Sequence, residues 1–332
     1  MVRLIGTAAL SAFFAIGVWG QDLDKTVHAV QFVTVDRDVR LEVLDWGGSG
    51  RPLVLLAGLG NDAHVFDQFA PKLADTFHVY GITRRGFGSS SSPAAVGDAY
   101  AADRLGDDVL AIIDFLQLTR PVLVGHSIAG EELSSVGSRH PEKVGGLVYL
   151  DAGYGYAFYD DSRGYLDIDV VDLQRKLAML QPGKGPNDTR PVIKDLLGTM
   201  LPGVERELRD EQAFLQSLPP AMIAGTSTSM PTASQSIITG EQKYTTIPVP
   251  ILAIFAVPHD MGPSLDKDPA LRAAFDAQDE ASTGAQARAF EAGVPSARVV
   301  RLGHANHYVF RSNEADVLRE IGAFINSLPS VN

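Results

Sequence analysis

Nine residues, Val122 to Gly130, constrain this chain more than any others. Val122, Leu123 and Val124 form an apolar run that enters Gly125-His126-Ser127-Ile128-Ala129-Gly130, and helical sequence follows from Glu131 to His140. A strand, a very tight turn with serine at its tip and then a helix is the layout of a nucleophile elbow. Such a turn strains the serine backbone and pushes the hydroxyl out above the sheet. It also crowds the positions two before and two after the serine, so both must be small. Here they are Gly125 and Ala129, with alanine where glycine is usual. The bare pattern arises by chance once in ~1400 positions at average composition, and an ordinary glycine-bearing turn before a helix would also satisfy it. Its meaning therefore depends on the neighbouring elements and on partners elsewhere in the chain.

Those neighbours predict an α/β architecture. Residues 28–35 and 38–46 read as strands joined by a tight connection at Asp36-Arg37. Pro52 to Ala57 is a continuous apolar run, which suits a strand covered on both faces. His78 to Thr83, Val144 to Leu150, Val249 to Val257 and Ala297 to Leu302 are further strands, with helical sequence over 66–74, 103–118, 269–291 and 314–328. Strands alternating with helices predict a mostly parallel central sheet flanked by helices. Between residues 154 and 247 the rhythm changes to helical segments broken by Pro and Gly, after an aromatic opening of Tyr154, Tyr156, Phe158, Tyr159 and Tyr165. This stretch is expected to be a helical cap inserted between two strands, leaving 21–153 and 248–332 as the core.

The first twenty residues have Arg3 as their only charge, then an apolar run from Leu4 to Trp19 and a small residue, Gly20. This predicts a cleaved export signal over 1–20, since the run falls short of the ~20 residues of a spanning helix. The expected location is periplasmic or extracellular, in a bacterium, with no stable membrane association after cleavage. The chain of 332 residues has no cysteine, which excludes disulfides, thiolate metal sites and a cysteine nucleophile. A net charge of −12 without any Lys/Arg-rich run argues against nucleic acid as a partner.

Ser127, Asp260 and His307 all fall at strand ends, in that chain order. Loops after parallel strands gather at one sheet edge, so residues distant in sequence can meet there. A serine hydroxyl is a weak nucleophile at neutral pH. An imidazole can take its proton and return it to the leaving group, and a buried carboxylate fixes the imidazole tautomer.

Leu55-Leu-Ala-Gly-Leu-Gly60, Arg85-Gly-Phe-Gly-Ser89, Gly125-His-Ser-Ile-Ala129, Pro250-Ile-Leu-Ala-Ile-Phe255 with Asp260, and Gly303-His-Ala-Asn-His307 together give the resemblance. From about Val33 to Phe324 the chain resembles the α/β-hydrolase superfamily, in its serine-nucleophile branch with a helical cap. The resemblance implies the α/β-hydrolase fold, Ser127 as nucleophile, His307 as base, Asp260 as acid, and the backbone N–H groups of Leu59 and Ile128 as oxyanion hole. Asp151 also ends a strand near the elbow, and some members take their acid there; the motif context favours Asp260. Ala57 stands where the family often has histidine, which leaves the hydrogen bonding of that loop open.

Asn61, His64, Glu131, Tyr154 and Tyr156 are candidate pocket residues, although Glu131 at a helix start also suits the helix dipole and the tyrosines also suit a cap core. His126 reads as structural. His259, Asp260, His304 and His307 are metal-capable types, but their spacing matches no helical metal motif, so neither metal nor cofactor is expected. The expected function is an exported serine hydrolase, carboxylesterase-like, cleaving small-molecule esters or related acyl substrates through an acyl-enzyme. Amide or peptide hydrolysis of an aminopeptidase-like kind, carbon–carbon bond hydrolysis and perhydrolysis stay open on the same triad. A non-catalytic ligand-binding protein of this fold is the alternative from another class.

Overall fold

The computed structural model describes residues 28–217, 230–262 and 269–330. The expected export signal over 1–20 lies outside the described residues. Eight strands form one sheet: β1 (Ala29–Asp36), β2 (Val39–Gly47), β3 (Pro52–Leu56), β4 (His78–Ile82), β5 (Val122–His126), β6 (Gly146–Leu150), β7 (Ile251–Ala256) and β8 (Ala297–Leu302). Their order is β1-β2-β4-β3-β5-β6-β7-β8. β1 and β2 pair antiparallel, as do β2 and β4, and every pair from β4 onward is parallel. The hairpin turns at Arg37-Asp38, one residue later than the sequence pattern suggests, with Asp38 at a φ of 61°.

The central strands are apolar on both faces because both are covered. Leu123, Leu147, Tyr149, Ile251, Ala253 and Phe255 point into one layer, against Leu105, Val109 and Ile112 of helix Ala102–Phe115 and Leu133 and Val136 of helix Ala129–Arg139. Their neighbours Val122, Val124, Val148, Leu150, Leu252 and Ile254 point into the other, against Phe66, Phe69, Phe310 and the Val317, Ile321, Phe324 stripe of helix Glu314–Ser327. The two-residue period of a strand thus sorts one run of hydrophobics into two cores.

Between β6 and β7 the described elements are helical: Leu166–Ala178, Arg190–Asp195, Leu201–Ser217 and Thr232–Ile238, with a wide π turn at Leu196–Met200 joining the second and third. Among the described residues no helix is long and apolar enough to cross a membrane. The sheet register decides where chemistry can occur. His126 pairs with Leu150 and Leu150 with Ile254, so β5 and β6 end level and β7 runs two residues further, to Ala256. The residues just beyond these strands share one edge.

Candidate active site

Ser127 sits just beyond β5 with φ at 55°. That left-handed conformation costs a non-glycine residue roughly 1–2 kcal/mol and is held by its surroundings. The Ser127 N–H donates to the Leu150 carbonyl at 3.2 Å, and Gly130 N–H donates back to the Ser127 carbonyl at 2.9 Å. A Cβ on Gly125 would stand 2.9 Å from Leu133 and 3.2 Å from the Ala129 Cβ, the crowding that the elbow pattern implies. A Cβ on Gly130 would fall 2.0 Å from the Ala152 carbonyl oxygen, so this glycine is needed for a backbone approach.

The Ser127 hydroxyl and His307 Nε2 are 2.9 Å apart, and His307 Nδ1 lies 2.6 Å from Asp151 Oδ2. Asp151 is fully buried, with φ at 47°. Its Oδ1 accepts the Ala256 N–H at 2.9 Å, and its Oδ2 also faces His259 Nε2 at 2.8 Å. Burial alone would raise its pKa, but His259 and His307 outweigh that and hold it well below the usual carboxylate range. Serine, imidazole and buried carboxylate therefore form one hydrogen-bonded line.

The carboxylate in that line is Asp151, and this corrects the sequence expectation of Asp260. Beyond β7, His259 forms a parallel bridge with Ala305 and turns its ring towards Asp151. Successive side chains on an extended strand point to opposite sides, so Asp260 turns away. Its side chain is 43% exposed, accepts the Gly262 N–H at 2.9 Å and lies 3.6 Å from Arg272. His304 is exposed, which leaves His307 as the histidine of this loop that meets the serine.

His126 is fully enclosed, and burial, then His307, push its pKa down to about 3. The neutral ring donates from Nε2 to the His307 carbonyl at 3.0 Å and packs 4.7 Å from the His307 ring, so it supports the base.

Leu59 and Ile128 flank the serine. A Cβ on Gly58 would lie 3.1 Å from the Ser127 Cβ, which puts the Gly58-Leu59 loop directly against the nucleophile. Arg84 fixes that loop. Its buried guanidinium donates twice to Glu132, at 2.8 and 2.6 Å, and once to the Ala57 carbonyl at 2.8 Å. The loop that lacks a histidine at Ala57 is thus tied to the helix after the elbow through Arg84. Arg85 makes a second bidentate pair with Asp108, at 2.7 and 2.6 Å, and anchors the loop after β4.

The expected pocket residues divide. The Tyr156 hydroxyl faces Ser127, and the Tyr154 hydroxyl is 3.4 Å from His259 Nε2. Glu131 is fully buried, neither carboxyl oxygen has a hydrogen-bond partner among the described residues, and burial, then Glu132, raise its pKa well above normal. Asn61 accepts from the Tyr308 hydroxyl at 3.0 Å. His64 faces Asp67 at 3.0 Å; burial opposes its charge, but Asp67, Asp62 and Glu42 together raise its pKa. Of the five, Tyr156 is the one that faces the nucleophile itself.

A family model described as the alpha/beta hydrolase family matches residues 53–320. The chain belongs to that family. Epoxide hydrolase A of Mycobacterium tuberculosis is 34% identical over 114 residues, 34% of this chain and 35% of that protein. Fluoroacetate dehalogenase of Burkholderia sp is 32% identical over 117 residues, 35% of this chain and 38% of that protein. Pimeloyl-(acyl-carrier protein) methyl ester esterase of Klebsiella pneumoniae is 25% identical over 232 residues, 65% of this chain and 80% of that protein. The chain spans well under half the length of the first two. The solved structure of E-2-(acetamidomethylene)succinate hydrolase overlays 91% of this chain and all of that one with a TM-score of 0.55 at 18% identity, a likeness of fold. The relatives named as epoxide hydrolase and fluoroacetate dehalogenase act on small molecules, and the alpha/beta hydrolases are a family of hydrolases.

Proposed function

We propose that this hydrolase cleaves carboxylic esters through an acyl-enzyme, with Ser127 as nucleophile, His307 as general base and acid, and Asp151 as the orienting carboxylate. The observation that carries this reading is the unbroken line from Ser127 Oγ through His307 to Asp151. In the first half-reaction Ser127 Oγ attacks the ester carbonyl while its proton moves to His307 Nε2. The Leu59 and Ile128 N–H groups receive the developing oxyanion, where two aimed donors are a large catalytic term. The His307 imidazolium then protonates the leaving alkoxide. Water repeats the cycle on the acyl-serine and restores the hydroxyl. Relatives named as epoxide hydrolase and dehalogenase place other chemistry on this fold, but serine at position 127 supports acyl transfer here.

The test is labelling with a fluorophosphonate probe alongside hydrolysis of a panel of p-nitrophenyl esters. The wild-type protein is expected to label and Ser127→Ala is not. Equal labelling of both would remove Ser127 from its role. Labelling without turnover of any ester would transfer the proposal to amide or carbon–carbon bonds.

A further inference from the structure

His259 and Asp279 stand behind Asp151 with no part in the mechanism above. His259 is 1% exposed. Its Nε2 is 2.8 Å from Asp151 Oδ2, and its Nδ1 is 2.8 Å from Asp279 Oδ2. Asp279 Oδ2 also accepts the His259 backbone N–H at 2.8 Å, and its Oδ1 accepts the Thr283 hydroxyl at 2.7 Å. We propose that His259 and Asp279 form a second buried histidine–aspartate unit, in which His259 stays protonated, positions Asp151, and sets the proton affinity of His307. This rests on Asp151 being the carboxylate of the reaction.

The proton count follows from the contacts. Asp279 accepts from the His259 backbone N–H, the His259 ring and the Thr283 hydroxyl, and Asp151 from the Ala256 N–H and the His259 and His307 rings, with the Tyr154 hydroxyl beside it, so hydrogen-bond donors favour the ionised form of both carboxyls. Both His259 ring nitrogens meet carboxylate oxygens, so both carry hydrogen. The groups facing the ring are Asp151, Asp279, the Tyr154 hydroxyl at 3.4 Å and the His307 ring, 6.3 Å away between centroids. Burial opposes the charge, but the two carboxylates outweigh it and push the His259 pKa up to about 10.

The unit has two consequences for the reaction. A second donor on Asp151 Oδ2 stops that carboxylate from rotating away from His307. A fixed cation beside Asp151 also offsets the anion that His307 feels. The cation at His259 thereby tempers the pull that Asp151 exerts on a proton at His307.

The decisive measurements are a pH profile of kcat/KM and ring nitrogen NMR. In His259→Gln the acid limb should move upward by about one to two pH units, from a unit charge at this separation in a medium of effective dielectric about 20, and in Asp279→Asn, which removes the far anion together with the support for the cation, it should move the same way by less. With His259→Gln, kcat/KM near about pH 6 should fall roughly tenfold or more, and in both variants the plateau at high pH should survive. A folded variant whose activity drops without any movement of the limb would show a merely structural role and overturn the proposal. Should both variants fail to fold, the wild-type spectrum decides. Both His259 nitrogens are expected to be protonated across neutral pH, and a neutral tautomer there overturns the assignment. Loss of Ser127 labelling specificity instead counts against the serine-hydrolase reading, and leaves the NMR result standing by itself.

Discussion

Replacing Asp151 by asparagine tests the site where sequence and structure part. In the native site Asp151 Oδ1 takes the Ala256 N–H, and Oδ2 takes His307 Nδ1 and His259 Nε2. An asparagine has one acceptor and one donor for these three donors. If its amide nitrogen faces the histidines, His307 must present Nδ1 as acceptor and Nε2–H to Ser127, and it cannot act as a base. If the nitrogen instead faces the Ala256 N–H, two donors meet in a fully buried place and the histidines keep a neutral partner without its charge. Either way His307 loses the ion that would stabilise its protonated form. The expected loss is about 10³- to 10⁴-fold in kcat, equivalent to roughly 4–5.5 kcal/mol of barrier. Asp260→Asn alters a side chain that is 43% exposed and does not touch His307, so kcat should stay within about twofold. Both variants are assayed on the best ester of the panel, with folding checked by circular dichroism. A drop of more than about tenfold in Asp260→Asn, or less than that in Asp151→Asn, refutes the assignment.

Two further outcomes follow from packing and ionisation. Gly130→Ala should cost roughly 3 kcal/mol or more in urea unfolding, because its Cβ would stand 2.0 Å from a backbone oxygen; Gly322→Ala, with nothing within 4 Å, should be neutral or slightly stabilising. His126 is held at a pKa of about 3, below its unfolded value, so its contribution is present above about pH 6.5 and is lost as pH falls. Between about pH 6 and 4.5, stability should fall by about 1.4 kcal/mol per pH unit, and His126→Asn should flatten that slope; an unchanged slope in the variant would contradict the buried neutral ring.

The strands were legible because the sheet uses simple signals. Val122–Leu123–Val124 and Gly146–Leu150 are continuous apolar runs bounded by turn residues, and such runs occur where both faces of a strand are covered. Ser127 and His307 were legible because each lies in a local motif whose geometry is set by near neighbours. The carboxylate was not. Asp151 and Asp260 both follow strands, both stand between the serine and the histidine in sequence, and β6 and β7 are parallel neighbours that finish at the same edge of the sheet. What separates them is side-chain direction: the φ of 47° at Asp151 and the strand-like alternation at His259-Asp260. No short-range pattern carries that information. Asp279 is harder still, since it meets His259 from twenty residues further along, at the end of helix Pro269–Asp279.

The place of the carboxylate and the identity of its neighbour depend on each other. With Asp151 beyond β6, whatever projects inward after β7 meets its Oδ2 at hydrogen-bonding distance. A carboxylate there would put two anions side by side in a buried site and force one to keep a proton. An apolar residue would leave Asp151 with fewer donors and free to turn. An imidazole supplies a donor, and because its far nitrogen meets Asp279, it supplies a positive charge as well. The same logic holds the other side of the site, where Arg84 joins Glu132 to the Ala57 carbonyl and so ties the Gly58-Leu59 loop to the helix that follows Ser127. Each loop beside the nucleophile is fixed by a buried cation and carboxylate. Removing one member of such a pair is strongly destabilising, since it strands the other charge. The strained turn at Ser127 therefore stands between two supports whose hydrogen bonds are strong only while both partners remain charged.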